Sequence, residues 1–211
     1  MNAKVIEIIK CAAFHESGHI LMAYLMEWSV KEVKIVLNDE DLFENGVTKY
    51  DYAEEQSFIN LVSNYRNEIP YFNSLNETQK ENCFDVAEKR LYTVMGGPIS
   101  EKGYLIGNNT RSWVIDRTDI RKCDDRIYFT FEEFLKENNP NFDINFFDNN
   151  TKKFAKWMSK EEVWHFINTL AHELISARNY VMTNIQVEDV LTRNGYFDYL
   201  DKLRNRHNIQ N

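Results

Sequence analysis

Proline and glycine are scarce, at 3 and 7 of 211 residues. That excludes a turn-dense sandwich or a low-complexity chain and favours long helices. Cysteine is scarce too. Cys11, Cys83 and Cys123 are odd in number, far apart and without a Cys-x-x-Cys pair, which excludes a disulfide framework and suits a reducing compartment. Basic residues are in deficit, 25 Lys and Arg against 33 Asp and Glu, for a net charge of −8 with no basic stripe. Nucleic acid and anionic membrane surfaces are therefore not expected as partners. No apolar run approaches the ~20 residues of a membrane span. The start, Met1 to Lys4, leads into an amphipathic stretch with Glu7 and Lys10 instead of a signal sequence. The expectation is a cytoplasmic chain.

What is present is an ordinary apolar content of 43%, with 14 Phe, 11 Tyr and 4 Trp, enough for one sizeable core. No internal repeat or linker divides it, so a single domain over 1–211 is expected, mostly α with a small β-sheet (α+β). Residues 4–27 read as a helix whose second half, Ile20 to Met26, is apolar on every side and so buried. Val33, Ile35 and Leu37 have strand periodicity, and Asn45-Gly46 gives a hairpin signal with a second strand after it. One helix is expected over Glu55–Tyr65, then a turn at Pro70. Ser74-Leu75-Asn76-Glu77 reads as a capping box opening a helix towards Met95, which Gly96-Gly97-Pro98 stops or breaks. Asp116 caps a helix to about Lys136, and 137–150 reads as irregular. Ser159-Lys160-Glu161-Glu162 is a second capping box before an amphipathic helix through Val163, Phe166, Ile167, Leu170 and Leu174, and Gly195 marks a later helix end.

The chemistry sits on the first helix, in His15-Glu16-Ser17-Gly18-His19. Histidines four apart lie one turn apart and point the same way, so two neutral imidazoles there can chelate one zinc ion. Glu16 is rotated by about 100° from His15, placed to take a proton from a water that the metal activates. Gly18 costs the helix about 1 kcal/mol relative to Ala, which implies that another element crosses closely there. The plainer alternative is a pair of polar surface histidines, but the apolar surroundings oppose it, because buried histidines need partners. A catalytic zinc needs a third protein ligand. His165 and His172 fall on the polar flank of their helix and His207 in a charged tail, so none is the expected donor.

Four blocks resemble the peptidase domain of the FtsH family of ATP-dependent zinc proteases. They are Ala12 to Leu21 followed by Val33-Lys34-Ile35-Val36, then Leu91 to Glu101 with Gly96-Gly97-Pro98-Ile99-Ser100-Glu101, then Thr118-Asp119-Ile120, and last Leu170-Ala171 with Leu174. The family's counterparts are a His-Glu-Ala-Gly-His helix with a Val-Thr-Ile strand, a Leu-Gly-Gly-Arg-x-Ala-Glu segment, and Asn-Asp-Leu/Ile, whose aspartate is the third zinc ligand. The resemblance implies an FtsH-like fold, with the histidine helix, small sheet and following helices in 1–107 and the third-ligand and C-terminal helices in 108–211. It implies zinc held by His15, His19 and Asp119, with Glu16 as general base. Glu101 is expected to accept a hydrogen bond from a ligand histidine. Asp119 has a competing structural role at the third position of a helix capped by Asp116, and Asp116 is the reserve ligand. The sequence departs from the family at Pro98 and Lys102, and in Asn109 to Trp113 before the aspartate.

In that family a hexameric ATPase feeds the peptidase, yet this chain has no Gly-x-x-x-x-Gly-Lys-Ser/Thr loop. The expected activity is zinc-dependent hydrolysis of short or already unfolded polypeptides, bound as an extra strand near Val33 to Leu37. The resemblance implies a separate ATPase or further copies of the chain as partners. The alternative expectation is an inactive zinc- or peptide-binding domain that keeps the fold.

Overall fold

The computed structural model describes residues 3–38, 43–52, 55–107, 113–121 and 125–208. Helix α1 (Ala3–Leu25) is the central element, packed against α4, α8 and the sheet. From Ala12 to Tyr24 every residue on it is buried, so it must be covered on all sides. Helix α4 (Glu77–Ile106) covers one side and α8 (Glu161–Ser176) another, and a three-stranded antiparallel sheet lies on a third. Ile20, Leu21 and Met22 are at most 1% exposed; burial of each such side chain contributes about 1.5–3 kcal/mol. Cross-links to the α1 backbone hold the cover in place: the Ser100 hydroxyl donates to the Phe14 carbonyl (2.6 Å) and the Tyr196 hydroxyl to that of Leu21 (2.9 Å). The fold is mostly α with a small sheet, as expected from the sequence.

The sheet has the order β2-β1-β3, with β1 (Ser29–Leu37) between β2 (Phe43–Asp51) and β3 (Val181–Thr183). Thus β1 is an interior strand from Glu32 to Lys34, where β3 pairs with it, so Val33 and Lys34 are not an exposed edge. Asn45-Gly46 is not the hairpin turn. Both residues lie inside β2, paired with Val36 and Ile35, and the connection at 39–42 lies outside the described residues.

Other boundaries differ for local reasons. Residues 53–73 give α2 (Gln56–Ser63) and α3 (Tyr65–Ser74), with Pro70 inside α3 instead of in a turn. The box that opens α4 is two residues later than expected: the Asn76 side chain accepts from Gln79 N–H (2.9 Å) and the Gln79 side chain accepts from Asn76 N–H (3.1 Å). Ser74 instead closes α3, its hydroxyl donating to the Tyr71 carbonyl at 2.6 Å. Likewise Ser159 closes α7 (Phe146–Met158) by donating to the Lys156 carbonyl (3.0 Å), which leaves α8 capped at Lys160 without a side-chain bond.

Gly96-Gly97-Pro98 does not stop α4, which continues to Ile106. An interior proline costs a helix about 3 kcal/mol, and here the buried contact with α1 offsets it. Of the helix expected from Asp116, the described residues give α5 (Arg117–Arg121) and α6 (Asp125–Asn138), and 122–124 lie outside them. Helix α9 (Asn184–Arg193) is followed by Gly195 at φ +77°, which turns the chain into α10 (Tyr196–Asn208). The short strand β3 was not anticipated; three residues carry no usable periodicity. No helix among the described residues is long and apolar enough to cross a membrane.

Candidate metal centre

The close crossing inferred at Gly18 is made by α4. A Cβ on Gly18 would stand 2.1 Å from the Gly96 carbonyl oxygen, and one on Gly96 would stand 2.5 Å from that of Gly18. The two helices therefore meet backbone to backbone, which no other residue pair permits. One residue on, Gly97 faces the histidines: a Cβ there would lie 2.5 Å from both His15 Nε2 and His19 Nε2. The glycine pair read from sequence as a helix stop is instead the place where α4 comes closest to α1.

His15, Glu16 and His19 are 7%, 4% and 4% exposed, and one donor atom from each lies within 4.8 Å of the others. The imidazole orientations are fixed from behind. His19 Nδ1 is 2.8 Å from the Thr93 carbonyl oxygen. A carbonyl only accepts, so Nδ1 carries the hydrogen and Nε2 of the neutral ring is a lone-pair donor. His15 Nδ1 stands 2.9 Å from Glu101 Oε2, with the same consequence. Glu101 thus occupies the supporting position expected for it. The two Nε2 atoms are 3.0 Å apart, so two lone pairs converge on one region, the arrangement a positive ion takes. Two nitrogens each ~2.0–2.1 Å from one tetrahedral zinc are about 3.3 Å apart, close to the separation found. The donor set fits a zinc-sized cation with borderline ligands.

Glu16 turns to the sheet. Thr48 Oγ1 donates to its Oε2 at 2.5 Å, and Gly46 lies against it, where a Cβ would be 2.3 Å from Oε1. Gly46 sits mid-strand because the carboxylate needs that space. The site is thus a junction of α1, α4 and β2. Thr48, Thr93, Gly46 and Gly97 were not picked out as site residues from sequence. Two of them are glycines, and glycine inside a strand or helix pattern is the signal that marks such close approaches.

Asp119 is not brought to the histidines. Its carboxylate accepts from the Asp116 backbone N–H (2.9 Å) and from Lys102 Nζ (3.0 Å), while Asp116 Oδ1 accepts from the N–H groups of Thr118 (2.7 Å) and Asp119 (3.2 Å). Asp116 and Asp119 form a reciprocal cap on α5, the structural role set against the ligand role above. The Asp116 carboxyl is held below its usual range by the Thr118 hydroxyl and backbone N–H. His165 and His172 are exposed on α8, and the side chain of His207 lies outside the described residues. No family model, curated protein or solved structure matches the chain.

Proposed function

We propose that this chain is a zinc-dependent endopeptidase acting on short or unfolded polypeptides, similar to the FtsH peptidase domain. The observation that carries it is the convergence of His15 Nε2 and His19 Nε2 at 3.0 Å, each ring backed by an acceptor on α4, with the Glu16 carboxylate beside them. His15 and His19 would hold the ion, and Asp119 is the proposed third ligand, reached by giving up its bonds to Lys102 and to the Asp116 N–H. A zinc ion in this position lowers the pKa of water to near 7 and polarises a carbonyl.

Glu16 supplies the proton chemistry. Its Oε1 accepts a proton from the attacking water and delivers it to the leaving amine nitrogen, while Thr48 holds Oε2. Glu101 and the Thr93 carbonyl keep the imidazoles in the Nδ1–H tautomer, in which both Nε2 lone pairs would be taken up by the ion and the proton left to Glu16. The polypeptide is proposed to add along the outer edge of β2, unpaired by any strand among the described residues. That strand carries Gly46 and Thr48 beside Glu16. A cytoplasmic location is proposed, where reduced thiols such as Cys11 and Cys83 persist. A separate ATPase or a homo-oligomer is the proposed partner.

A second proposal, a zinc-binding domain without turnover, is favoured by one observation: Glu16 lies within metal-sharing range of both histidines while Asp119 is engaged with Lys102. In that arrangement Glu16 is itself the third ligand. The two are separated by one experiment, in which unfolded casein and a peptide library are incubated with the zinc-loaded chain, with and without chelator. For the peptidase, chelator-sensitive cleavage falls at least 100-fold in Glu16→Gln with zinc retained, and Asp119→Ala lowers zinc affinity. For the binding domain, Glu16→Gln loses zinc and Asp119→Ala does not. Absence of any chelator-sensitive cleavage overturns the peptidase.

A further inference from the structure

A second feature has no part in the metal centre. Where α1 ends, α7 and α10 leave a cleft of about 420 Å³, within the ~300–1,000 Å³ typical of small-ligand sites. Its floor is apolar, built on Phe154 and Trp157, which are 5% and 8% exposed. Its mouth carries Lys153, Lys156, Lys160 and Arg204. Every charged residue lining the cleft is thus cationic, in a chain whose net charge is −8. Lys153 Nζ leans 5.9 Å above the Phe154 ring, so charge overhangs the apolar floor directly. Arg204 is drawn partly outward, 3.4 Å from Glu27 and 3.9 Å from Asp201.

We propose that this cleft binds a small amphiphilic anion, a carboxylate on an unbranched apolar tail, of the fatty-acid class. The tail meets Phe154 and Trp157 and the head group meets the lysines. A nucleotide has the charge but not the shape for this floor, because the donors and acceptors of its base would be left unpaired there. A carboxylate without a tail gains only exposed, salt-screened contacts. The cations are exposed, so removing them leaves the core intact, and the floor and mouth can be tested separately.

The test is calorimetric titration of the full chain with decanoate below its micelle concentration, with Trp157 emission followed in parallel and Trp157→Phe identifying that signal. Saturable binding at one site is expected, at least tenfold tighter than decanol, decyltrimethylammonium, acetate or ADP. The triple variant Lys153→Ala, Lys156→Ala, Lys160→Ala should bind decanoate at least tenfold more weakly with an unchanged circular dichroism spectrum. Non-saturable binding, equal affinity for the three ten-carbon amphiphiles, tighter binding of ADP, or an unchanged triple variant overturns the proposal. So does a doubled mass in solution that the triple substitution abolishes and decanoate does not shift, which would make this face a contact between copies.

Discussion

Replacing Gly97 by alanine separates the proposed metal centre from the fold more sharply than replacing a proposed ligand. On helix propensity alone the change favours α4 by about 0.8–1 kcal/mol. The new methyl, however, would stand 2.5 Å from both His15 Nε2 and His19 Nε2 and 2.7 Å from His15 Cδ2. Any ion ~2.0–2.1 Å from both nitrogens lies on a small ring around their midpoint, and the methyl sits beside that ring. The imidazoles must swing away, loosening their bonds to Glu101 and Thr93, each worth about 1 kcal/mol net. The gain in helix propensity offsets part of that loss, so stability should fall by no more than about 1 kcal/mol, whereas zinc affinity should fall at least 100-fold.

Gly96→Ala, one residue earlier, gives the opposite outcome. Its Cβ would meet the Gly18 carbonyl oxygen at 2.5 Å, and backbone cannot rotate aside, so the helices must part at a cost of about 2–4 kcal/mol. Thermal melting of the apo proteins with competitive zinc titration reads both quantities. A Gly97→Ala protein that binds zinc like wild type would refute the placement of the ion between the two rings.

Glu101→Gln keeps the shape but weakens the acceptor behind His15, and should lower zinc affinity 10–100-fold without a comparable loss in melting temperature; competition against a chromogenic chelator measures it. Burial alone would raise the pKa of Glu132, but hydrogen bonds from Arg117 and Lys136 outweigh it and hold the carboxyl below its usual value. A depressed carboxylate contributes stability above its unfolded pKa, about 4.3, and loses it as pH falls through the folded value. Glu132→Gln should therefore cost about 2 kcal/mol at pH 7, and the gap to wild type should close below pH 4. A gap of the same size at pH 3 in urea melts would show that the ion pairs are not its cause.

The histidine helix was legible because its signal is local. A four-residue spacing fixes which side chains share a face, and an all-round apolar stretch can only be buried. Gly18 even announced its partner, though not which element it was. Glu101 and the Asp116 cap were also anticipated. What was not legible depended on contacts distant in sequence. Gly46 imitates a turn and Gly96-Gly97-Pro98 imitates a helix stop because glycine has two uses, conformational freedom and lack of a side chain. Only the position of Glu16 against β2, and of Gly18 against α4, shows that the second applies. Thr93 contributes a main-chain carbonyl, which no residue type encodes. Ser74 and Ser159 precede helices with box-like spacing yet donate to the helix behind them, a competition that spacing alone does not resolve.

Metal content decides most directly whether the two imidazoles serve as ligands. Protein purified without chelator should contain one zinc per chain by elemental analysis, and His15→Ala and His19→Ala should each contain almost none while keeping the helical spectrum. Wild-type protein without zinc after incubation in excess metal, or alanine variants that retain a full equivalent, would contradict it.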